Sequence, residues 1–145
     1  MGNKPLILPQ TGKKEAGLYQ QLKSAIKKSN RNLVLTRIEN WAGQGIPDLL
    51  ICDEKGIFHF IELKFVKANA VNLSPHQVAW LTRHKHSSSW VLVKKQNNSD
   101  TKAELYLYKA DQAINLKTNG LKTEPVGSWK APFDWEKLWG LLYPI

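Results

Sequence analysis

The stretch that decides the fold is Gly45-Ile-Pro-Asp-Leu-Leu-Ile-Cys-Asp-Glu-Lys-Gly-Ile-Phe-His-Phe-Ile-Glu-Leu-Lys64. At its centre, Asp53 and Gly56 occupy the first and fourth positions of a type I turn. Gly56 readily takes the left-handed conformation that closes a three-residue hairpin loop with a bulge. The stretch therefore predicts a β-hairpin.

The register of this hairpin brings charged side chains together. When Asp53 pairs with Ile57, Asp48 lies opposite Glu62, and directly opposed residues have Cβ atoms about 5 Å apart. Glu62 and Lys64 share a face because side chains alternate along a strand. Two carboxylates this close repel unless a cation lies between them, and such oxygen ligands suit Mg²⁺ or Mn²⁺. The alternative interpretation is a buried charge cluster with a structural role only.

The rest of the hairpin is apolar on both faces, which is typical of strands covered on both sides. One face holds Leu49, Ile51, Ile57, Ile61, Leu63 and Phe65, and the other holds Leu50, Phe58 and Phe60. Charged groups buried in such a sheet carry a desolvation cost unless they have a partner. This cost favours a functional role for Asp48, Glu62 and Lys64.

The composition indicates a single basic domain. The chain has 145 residues, with 21 Lys and Arg against 12 Asp and Glu, and a formal charge of +9. Such an excess is expected of a protein that meets a polyanion, most commonly nucleic acid. A membrane surface is disfavoured, because no stretch approaches the ~20 apolar residues of a spanning helix. The single cysteine, Cys52, excludes a disulfide framework or a Cys-based zinc site.

The first residues, Met1 to Gln10, predict an irregular arm. They contain Pro5 and Pro9 and lack the charged start, apolar run and cleavage site of a secretory signal. We therefore expect a cytoplasmic protein, in a bacterial cell or a phage-infected host.

A first helix is predicted from Thr11 or Gly12 to about Lys28. Its apolar positions share one helical face, and they are Leu18, Leu22, Ala25 and Ile26. Glu15 lies one turn before Leu18 on that face. The spacing allows two interpretations of Glu15. It is either a first-turn acid that complements the helix dipole or a carboxylate that reaches the charged end of the hairpin.

The segment from Leu33 to Glu39 alternates and predicts a strand that pairs next to the hairpin. Arg37 near its end either meets a phosphate or pairs with an acid such as Glu39. The following loop, Asn40 to Gly45, has two glycines that permit close backbone approach to a ligand. We expect this loop to line the cleft.

A second helix begins at the segment Leu73-Ser74-Pro75-His76-Gln77. Ser74 is a good N-cap, Pro75 suits the first helical position, and Ser74 with Gln77 forms a capping-box pattern. Capping is thus the structural reading of Gln77. The helix is expected to end at the basic run from Arg83 to His86, where His84 and His86 have the wrong spacing for a helical metal pair.

Further strands are predicted at Trp90 to Lys94 and at Glu104 to Tyr108. Beyond them we expect a short helix from Asp111 to Leu116, a loop from Lys117 to Pro132, and a helix capped by Asp134. The aromatic residues of this last part are more typical of a core or a subunit interface than of a DNA-stacking surface. They are Trp129, Phe133, Trp135 and Trp139.

Pro47-Asp48 followed by Glu62-Leu63-Lys64 resembles the signature of the PD-(D/E)XK nuclease superfamily. The predicted order of elements also matches its restriction-endonuclease-like αβββαβ core, an α/β fold with a mixed sheet of the α+β kind. Leu-Ser-x-x-Gln after Glu-x-Lys is similar to the VRR-NUC family and related Holliday-junction resolvases. The resemblance covers about Lys13 to Lys95.

The resemblance implies a metal-dependent DNA endonuclease that uses Mg²⁺, with Mn²⁺ as a substitute. Asp48, Glu62, the Leu63 backbone carbonyl and Glu15 would hold the metal, Lys64 would position or activate the attacking water, and Gln77 would lie at the active site. Many junction-resolving members carry such a Glu on the first helix, which favours the second reading of Glu15.

The substrate and partner implied are branched DNA, in particular a four-way junction, and a second copy of the chain in a homodimer. The alternatives are a flap, fork or general DNA-processing endonuclease, or a catalytically silent DNA-binding module. We expect one domain over residues 1–145, with a core over about 11–108 and an extension over 109–145 that packs on the core or forms the dimer interface. Residues expected near the cleft, and so candidates to contact DNA, are Lys13, Lys14, Arg37, Gln44, Lys67 and Ser74.

Overall fold

The computed structural model of the chain describes residues 10–38 and 44–143 and, within the first helix, side chains from residue 14 onward. It contains one six-stranded mixed sheet flanked by helices, which is an α+β fold. The helices are α1 (Gln10–Lys28), α2 (Pro75–Arg83), α3 (Ala113–Asn119) and α4 (Trp135–Leu142). The strands are β1 (Val34–Arg37), β2 (Leu49–Cys52), β3 (Phe58–Val66), β4 (Ser89–Lys95), β5 (Glu104–Lys109) and β6 (Gly127–Lys130).

The strands lie in the order β1-β2-β3-β4-β5-β6, so each strand pairs with the next along the chain. Only β3 and β4 are parallel, and α2 makes the crossover that a parallel pair requires. The predicted order of helix, strand, hairpin, helix and strand is therefore the observed order up to β4.

The predicted hairpin register is confirmed. Leu49 lies opposite Ile61, and Cys52 lies opposite Phe58. Gly56 has a φ of 81°, and its N–H donates to the Asp53 carbonyl over 3.0 Å. The local chemistry of the turn is thus sufficient to fix which side chains of β2 and β3 share a face.

Two apolar clusters cover the two faces of the sheet. On one face α1 and α4 pack against β2 to β5 in a cluster that contains Leu18, Leu22, Leu49, Ile51, Ile61, Leu92, Leu107, Leu138 and Trp139. On the other face α2 and α3 pack against β3 to β5 in a cluster that contains Val66, Leu81, Val91, Val93, Tyr108 and Leu116. The predicted stripe of α1 is largely buried, as expected.

The hairpin is less covered at its turn than predicted. Ile57 and Phe58, next to the turn, keep 51% and 57% of their surface exposed. The inner positions of one face, Leu49, Ile51 and Ile61, are fully buried, as predicted. On the other face Leu50 and Phe60 are only partly buried, so the prediction that both faces of the hairpin are covered is confirmed only in part.

The predicted loop from Lys117 to Pro132 is wrong in part. The segment includes the end of α3, a short 3-10 turn (Gly120–Lys122) and the edge strand β6. Leu105 on β5 pairs with Trp129 on β6, so a tertiary partner imposes extended structure on a sequence with little β-character. The predicted helix at Asp111 likewise begins as a 3-10 turn (Ala110–Gln112) and continues as α3.

The last helix follows its prediction. The Asp134 carboxylate accepts from the Lys137 N–H over 3.2 Å and caps α4. Trp139 is fully buried, and Trp129, Phe133 and Trp135 pack against the same cluster. These aromatic residues are therefore largely core residues of the fold.

Some sequence predictions lie outside the described residues. They concern the arm before Gln10, the side chain of Lys13, Glu39 at the end of the first predicted strand, and residues 40–43 of the predicted loop. Gln10 itself is the first residue of α1. Among the helices that the structure does describe, none is long and apolar enough to cross a membrane.

Candidate active site

Asp48 is held in place by the strands on both sides of it. It directly precedes β2, and its carbonyl accepts from the Ile38 N–H over 2.7 Å, which extends the pairing with β1. Its side chain turns toward β3, where Oδ2 accepts from the Leu63 N–H over 3.0 Å. The carboxylate is therefore fixed at the point where β2 begins and opposite the middle of β3.

The Leu63 carbonyl lies on the same side of β3 as this carboxylate. In an antiparallel sheet the N–H and C=O of one residue point to the same neighbouring strand, and the Leu63 N–H points to Asp48. The observed pairing of β2 with β3 ends at Leu49 and Ile61, so Leu63 lies beyond the regular ladder. Continuing the register by two residues would set Pro47, which has no N–H to donate, opposite Leu63. The Leu63 carbonyl therefore stays a candidate ligand on the side of β3 that faces Asp48.

Glu62 is the buried acid of the site, with 3% of its surface exposed. Its Oε2 accepts from Gln77 Nε2 over 2.9 Å and lies 3.7 Å from Lys64 Nζ. Its Oε1 is buried and has no hydrogen-bond partner among the residues that the structure describes. One oxygen is thus anchored by the protein, and the other lacks the partner that a buried oxygen normally has.

The site raises the pKa of both central acids. Burial is the main cause for Glu62, and the neighbouring Asp48 charge raises its pKa further, so that it lies well above its ordinary value although Lys64 opposes the shift. Burial also raises the pKa of Asp48, against the effect of the Leu63 N–H. The two carboxyl groups are close enough to hydrogen-bond to each other. Such a pair needs a shared proton or a cation.

These oxygen donors fit a divalent metal ion. Two carboxylates and a carbonyl are the ligand types that Mg²⁺ and Mn²⁺ prefer, and the unpartnered Glu62 Oε1 is a free donor of this kind. Within residues 10–38 and 44–143, however, no three His, Cys, Asp or Glu side chains are grouped so that they could hold one ion. The set therefore consists of Asp48, Glu62 and the Leu63 carbonyl.

Glu15 lies near Asp48 and Lys64 but is not grouped with the candidate metal ligands. Burial raises the pKa of its half-buried carboxyl group, the Lys64 charge lowers it, and the Asp48 charge raises it again. The nearby Phe65 N–H lowers the pKa of this carboxyl group as well. Glu15 thus lies within electrostatic reach of the site from α1, and its predicted role as a ligand requires a shift of its side chain toward Asp48.

The Gln77 side chain forms the predicted capping box and also contacts Glu62. Its Oε1 accepts from the Ser74 N–H over 2.9 Å, and the Ser74 hydroxyl accepts from the Gln77 N–H over 3.1 Å, which completes the capping box of α2. Its Nε2 then remains to donate to Glu62. The amide thus caps α2 through its oxygen and contacts Glu62 through its nitrogen.

The loop before Asp48 packs directly on the start of α2. Gly45 has a φ of 83°, and a Cβ atom built on it would lie 2.2 Å from the His76 carbonyl oxygen. This glycine thus allows a close approach to the helix backbone, where the sequence suggested an approach to a ligand. Gln44, Gly45, Asp48, Ser74 and Gln77 contribute to the lining of an open cavity of about 230 Å³.

The predicted DNA contacts do not all meet at this cavity. Gln44 and Ser74 line it. Arg37 lies over the Tyr19 ring at 5.2 Å and is close enough to lower the pKa of Asp48. Lys14 lies over the Phe65 ring at 4.6 Å. Lys67 instead lines a separate hollow at the ends of β3 and β4, and the Lys13 side chain is not described.

The sequence does not predict a buried polar cluster formed by His59, Asp53 and Ser88. His59 Nε2 hydrogen-bonds to Asp53 Oδ2 over 2.8 Å, and His59 Nδ1 hydrogen-bonds to Ser88 Oγ. Burial alone would raise the pKa of Asp53, but hydrogen bonds from His59 and from the Ile57 and Lys55 N–H groups lower it. The only signal in the sequence is that His59 falls on the apolar face of β3, between Ile57 and Ile61.

Neither the protein-family models nor the curated proteins compared with this chain match it. Its function therefore has to be inferred from the site itself.

Proposed function

We propose that the chain is a divalent-metal-dependent DNA endonuclease that resembles the PD-(D/E)XK superfamily. The observation that carries the proposal is the contact set around Glu62, in which Asp48, Lys64 and Gln77 meet one buried carboxylate whose Oε1 has no partner among the described residues. No N–H or O–H group of the described residues serves this oxygen, and a cation between Asp48 and Glu62 would supply the partner that a buried oxygen normally has. A formal charge of +9 is in keeping with a polyanionic substrate.

Mg²⁺, or Mn²⁺ in its place, would be held by Asp48, Glu62 and the Leu63 carbonyl, with Glu15 as a further carboxylate nearby. When bound, the ion would polarise the scissile phosphate and stabilise the negative charge of the transition state. The two carboxyl groups are close together, which is costly when both are ionised and no cation lies between them, and this proximity supports the proposed occupancy.

The side chains of the site have separate tasks in phosphodiester hydrolysis. Lys64 Nζ, next to Glu62, would orient the attacking water and offset the charge that develops on the phosphate oxygens. Gln77 holds the Glu62 carboxylate in one orientation, and the Leu63 N–H does the same for Asp48. In the reaction, the attacking water gives up a proton and its oxygen forms a bond to phosphorus, the bond from phosphorus to the leaving oxygen breaks, and that oxygen takes up a proton from solvent.

The substrate that we propose is branched DNA, with the four-way junction as the leading candidate. Two symmetric cuts in such a junction require two active sites related by a two-fold axis, so the proposal includes a homodimer. A flap, fork or general DNA-processing endonuclease with the same site is the second candidate. A catalytically silent DNA-binding module would have no use for Asp48, Glu62 and Lys64 together.

These candidates are separated by one cleavage assay. The purified protein and a Glu62→Ala variant are incubated with matched four-way junction, flap and linear duplex DNA, with Mg²⁺ and with chelator. We expect Mg²⁺-dependent cutting of the junction by the wild type alone. Equal cutting of linear duplex would remove the junction assignment and retain the nuclease. DNA binding without cleavage under Mg²⁺ or Mn²⁺ would favour the silent module.

A further inference from the structure

A second cavity lies at the turn end of the hairpin, away from the carboxylate site. Its volume is about 680 Å³, which is within the range of ~300–1,000 Å³ of small-molecule sites. It is lined by the hairpin turn, by the start of β4 and by the end of α4. His59 borders it and is three residues from Glu62, which is about 10 Å along the strand, and their side chains point to opposite faces of β3.

The wall of this cavity is apolar. Ile57, Trp90, Leu141 and Leu142 contribute to it. Tyr143 also lines it, with 8% of its surface exposed, and its Oη is buried without a hydrogen-bond partner among the described residues. A buried hydroxyl without a partner carries a desolvation cost, which a ligand with a polar group would remove.

The rim of the cavity carries cations that are not neutralised by its acids. Arg31 lies 3.7 Å from Glu54 and 3.4 Å from Glu136, and Asp53 is hydrogen-bonded to His59, so both rim acids are already engaged. Lys55 and Lys109 also line the cavity, and neither forms an ion pair with another described residue. Lys109 Nζ lies 5.7 Å from the centre of the Trp90 ring.

The floor of the cavity is already satisfied by its own hydrogen bonds. Trp90 Nε1 donates to Ser88 Oγ over 2.9 Å, and Ser88 and Asp53 bond to the two nitrogens of His59. These hydrogen bonds hold His59, Asp53 and Ser88 in one arrangement. The floor therefore contains the Asp53 carboxylate, and the positive charge of the cavity that is not paired with an acid comes from Lys55 and Lys109.

We propose that this cavity binds a nucleoside monophosphate unit, either as the free mononucleotide or as the 5′-phosphorylated end of a DNA strand. The apolar wall suits the base, Lys55 and Lys109 suit the phosphate, and Tyr143 Oη suits a polar edge of the base or sugar. The proposal does not rest on the carboxylate site, because the two sites share no residue.

The test is a calorimetric titration of the full chain in the presence of chelator, which prevents binding through a metal ion. The probes are dTMP, thymidine and inorganic phosphate, followed by a short oligonucleotide with either a 5′-phosphate or a 5′-hydroxyl group. We expect dTMP to bind at least tenfold more tightly than thymidine or phosphate alone. A tighter complex with the 5′-phosphorylated oligonucleotide than with dTMP would assign the cavity to strand ends, and the reverse order would assign it to free nucleotides.

Substitutions then locate the binding. Lys55→Gln and Lys109→Gln are each expected to weaken dTMP binding by about tenfold, since each removes a charged partner of the phosphate, and to leave thymidine binding unchanged. Tyr143→Phe should weaken both ligands. Lys122→Gln, an exposed lysine that does not line the cavity, is the matched control and should have no effect.

Three results would overturn the proposal. They are the absence of saturable dTMP binding, equal affinity for dTMP and inorganic phosphate, and unchanged dTMP affinity in both lysine variants while circular dichroism shows a native fold. A Glu62→Gln variant should retain dTMP binding in full. Because that variant removes the proposed nuclease centre, failure of either proposal can be recognised separately.

Discussion

Gln77 Nε2 donates a hydrogen bond to Glu62 Oε2 over 2.9 Å and thereby ties the first turn of α2 to the buried acid of β3. The same side chain caps α2 through Oε1. The contact thus links the capping of α2 to the orientation of Glu62, a candidate metal ligand. Substitution of Gln77 removes both effects, and stability and cleavage can each be measured.

Gln77→Ala should reduce both stability and activity. The loss of the capping box is expected to cost about 1 kcal/mol, and the loss of the donor to Glu62 is expected to lower the cleavage rate about 10–100-fold, as for other residues that orient metal ligands. Urea unfolding and a cleavage assay measure the two effects. Asp134→Ala, which removes the cap of the distant helix α4, is the control and should lower stability alone. If Gln77→Ala also lowers stability alone, Gln77 has no role beyond its cap.

Glu62→Gln should stabilise the metal-free protein while it abolishes cleavage. The amide removes a buried charge that lies next to Asp48 and can donate a hydrogen bond to the Asp48 carboxylate. We expect a gain of about 1–3 kcal/mol in the free energy of unfolding at neutral pH in chelator. Glu124→Gln, at an exposed position, is the matched control and should change neither quantity. A less stable Glu62→Gln variant would indicate that the ionised carboxylate is a favourable part of the fold.

The pH dependence of stability should carry the signature of Glu62. Its pKa is raised above the ordinary value of 4.5 in the folded protein, so the folded state binds this proton more tightly than the unfolded state. Stability is therefore highest below the unfolded pKa and decreases as the pH rises through the folded pKa. The difference between wild type and Glu62→Gln in urea unfolding isolates this contribution. We expect the wild type to lose stability relative to the variant as the pH rises above the ordinary glutamate pKa of 4.5; a constant difference above that pH would contradict the raised pKa.

The part of the site that lies on the hairpin follows from the sequence, because local turn chemistry fixes its register. Asp53 and Gly56 close the turn, and alternation along β3 then places Glu62 and Lys64 on one face. The cap formed by Ser74 and Gln77 is local in the same sense. Contacts between residues that are only a few positions apart in the chain can therefore be predicted from the sequence.

The remaining contacts join distant parts of the chain and leave little trace in the sequence. The stripe of α1 identifies the face of Glu15 but not the offset of the helix along β3, which brings its carboxylate near Lys64, Asp48 and the Phe65 N–H. The contact between His59 and Ser88 spans 29 positions, and β6 takes its extended form from β5. In each case the position of the residue or strand depends on how distant helices and strands pack together. A local sequence pattern carries no information about that packing.

Gly45→Ala should destabilise the protein through the contact between the loop and α2. The substitution combines a positive φ with a Cβ atom 2.2 Å from the His76 carbonyl oxygen, and such strain costs on the order of 1–3 kcal/mol. Because the shift displaces the first turn of α2, cleavage should decrease as well. The measurement is the free energy of unfolding by urea.

Gly140→Ala is the matched control for this prediction. Gly140 lies at an exposed position of α4, where a Cβ atom would meet no side chain or neighbouring element within 4 Å. Alanine in a helix interior is favoured over glycine by about 1 kcal/mol. This variant should therefore be slightly more stable than the wild type and cut DNA equally well. Equal stability of the two variants would show that the close approach at Gly45 can relax without cost.

The most direct measurement of the central claim compares the Lys64→Ala variant with the wild type in parallel assays of DNA binding and Mg²⁺-dependent cleavage. If Asp48, Glu62 and Lys64 form a nuclease centre, the variant should bind DNA with nearly unchanged affinity, because most of the positive charge lies elsewhere, and should cleave it no faster than the background rate. Full cleavage by Lys64→Ala would contradict the assignment of this cluster as the catalytic centre.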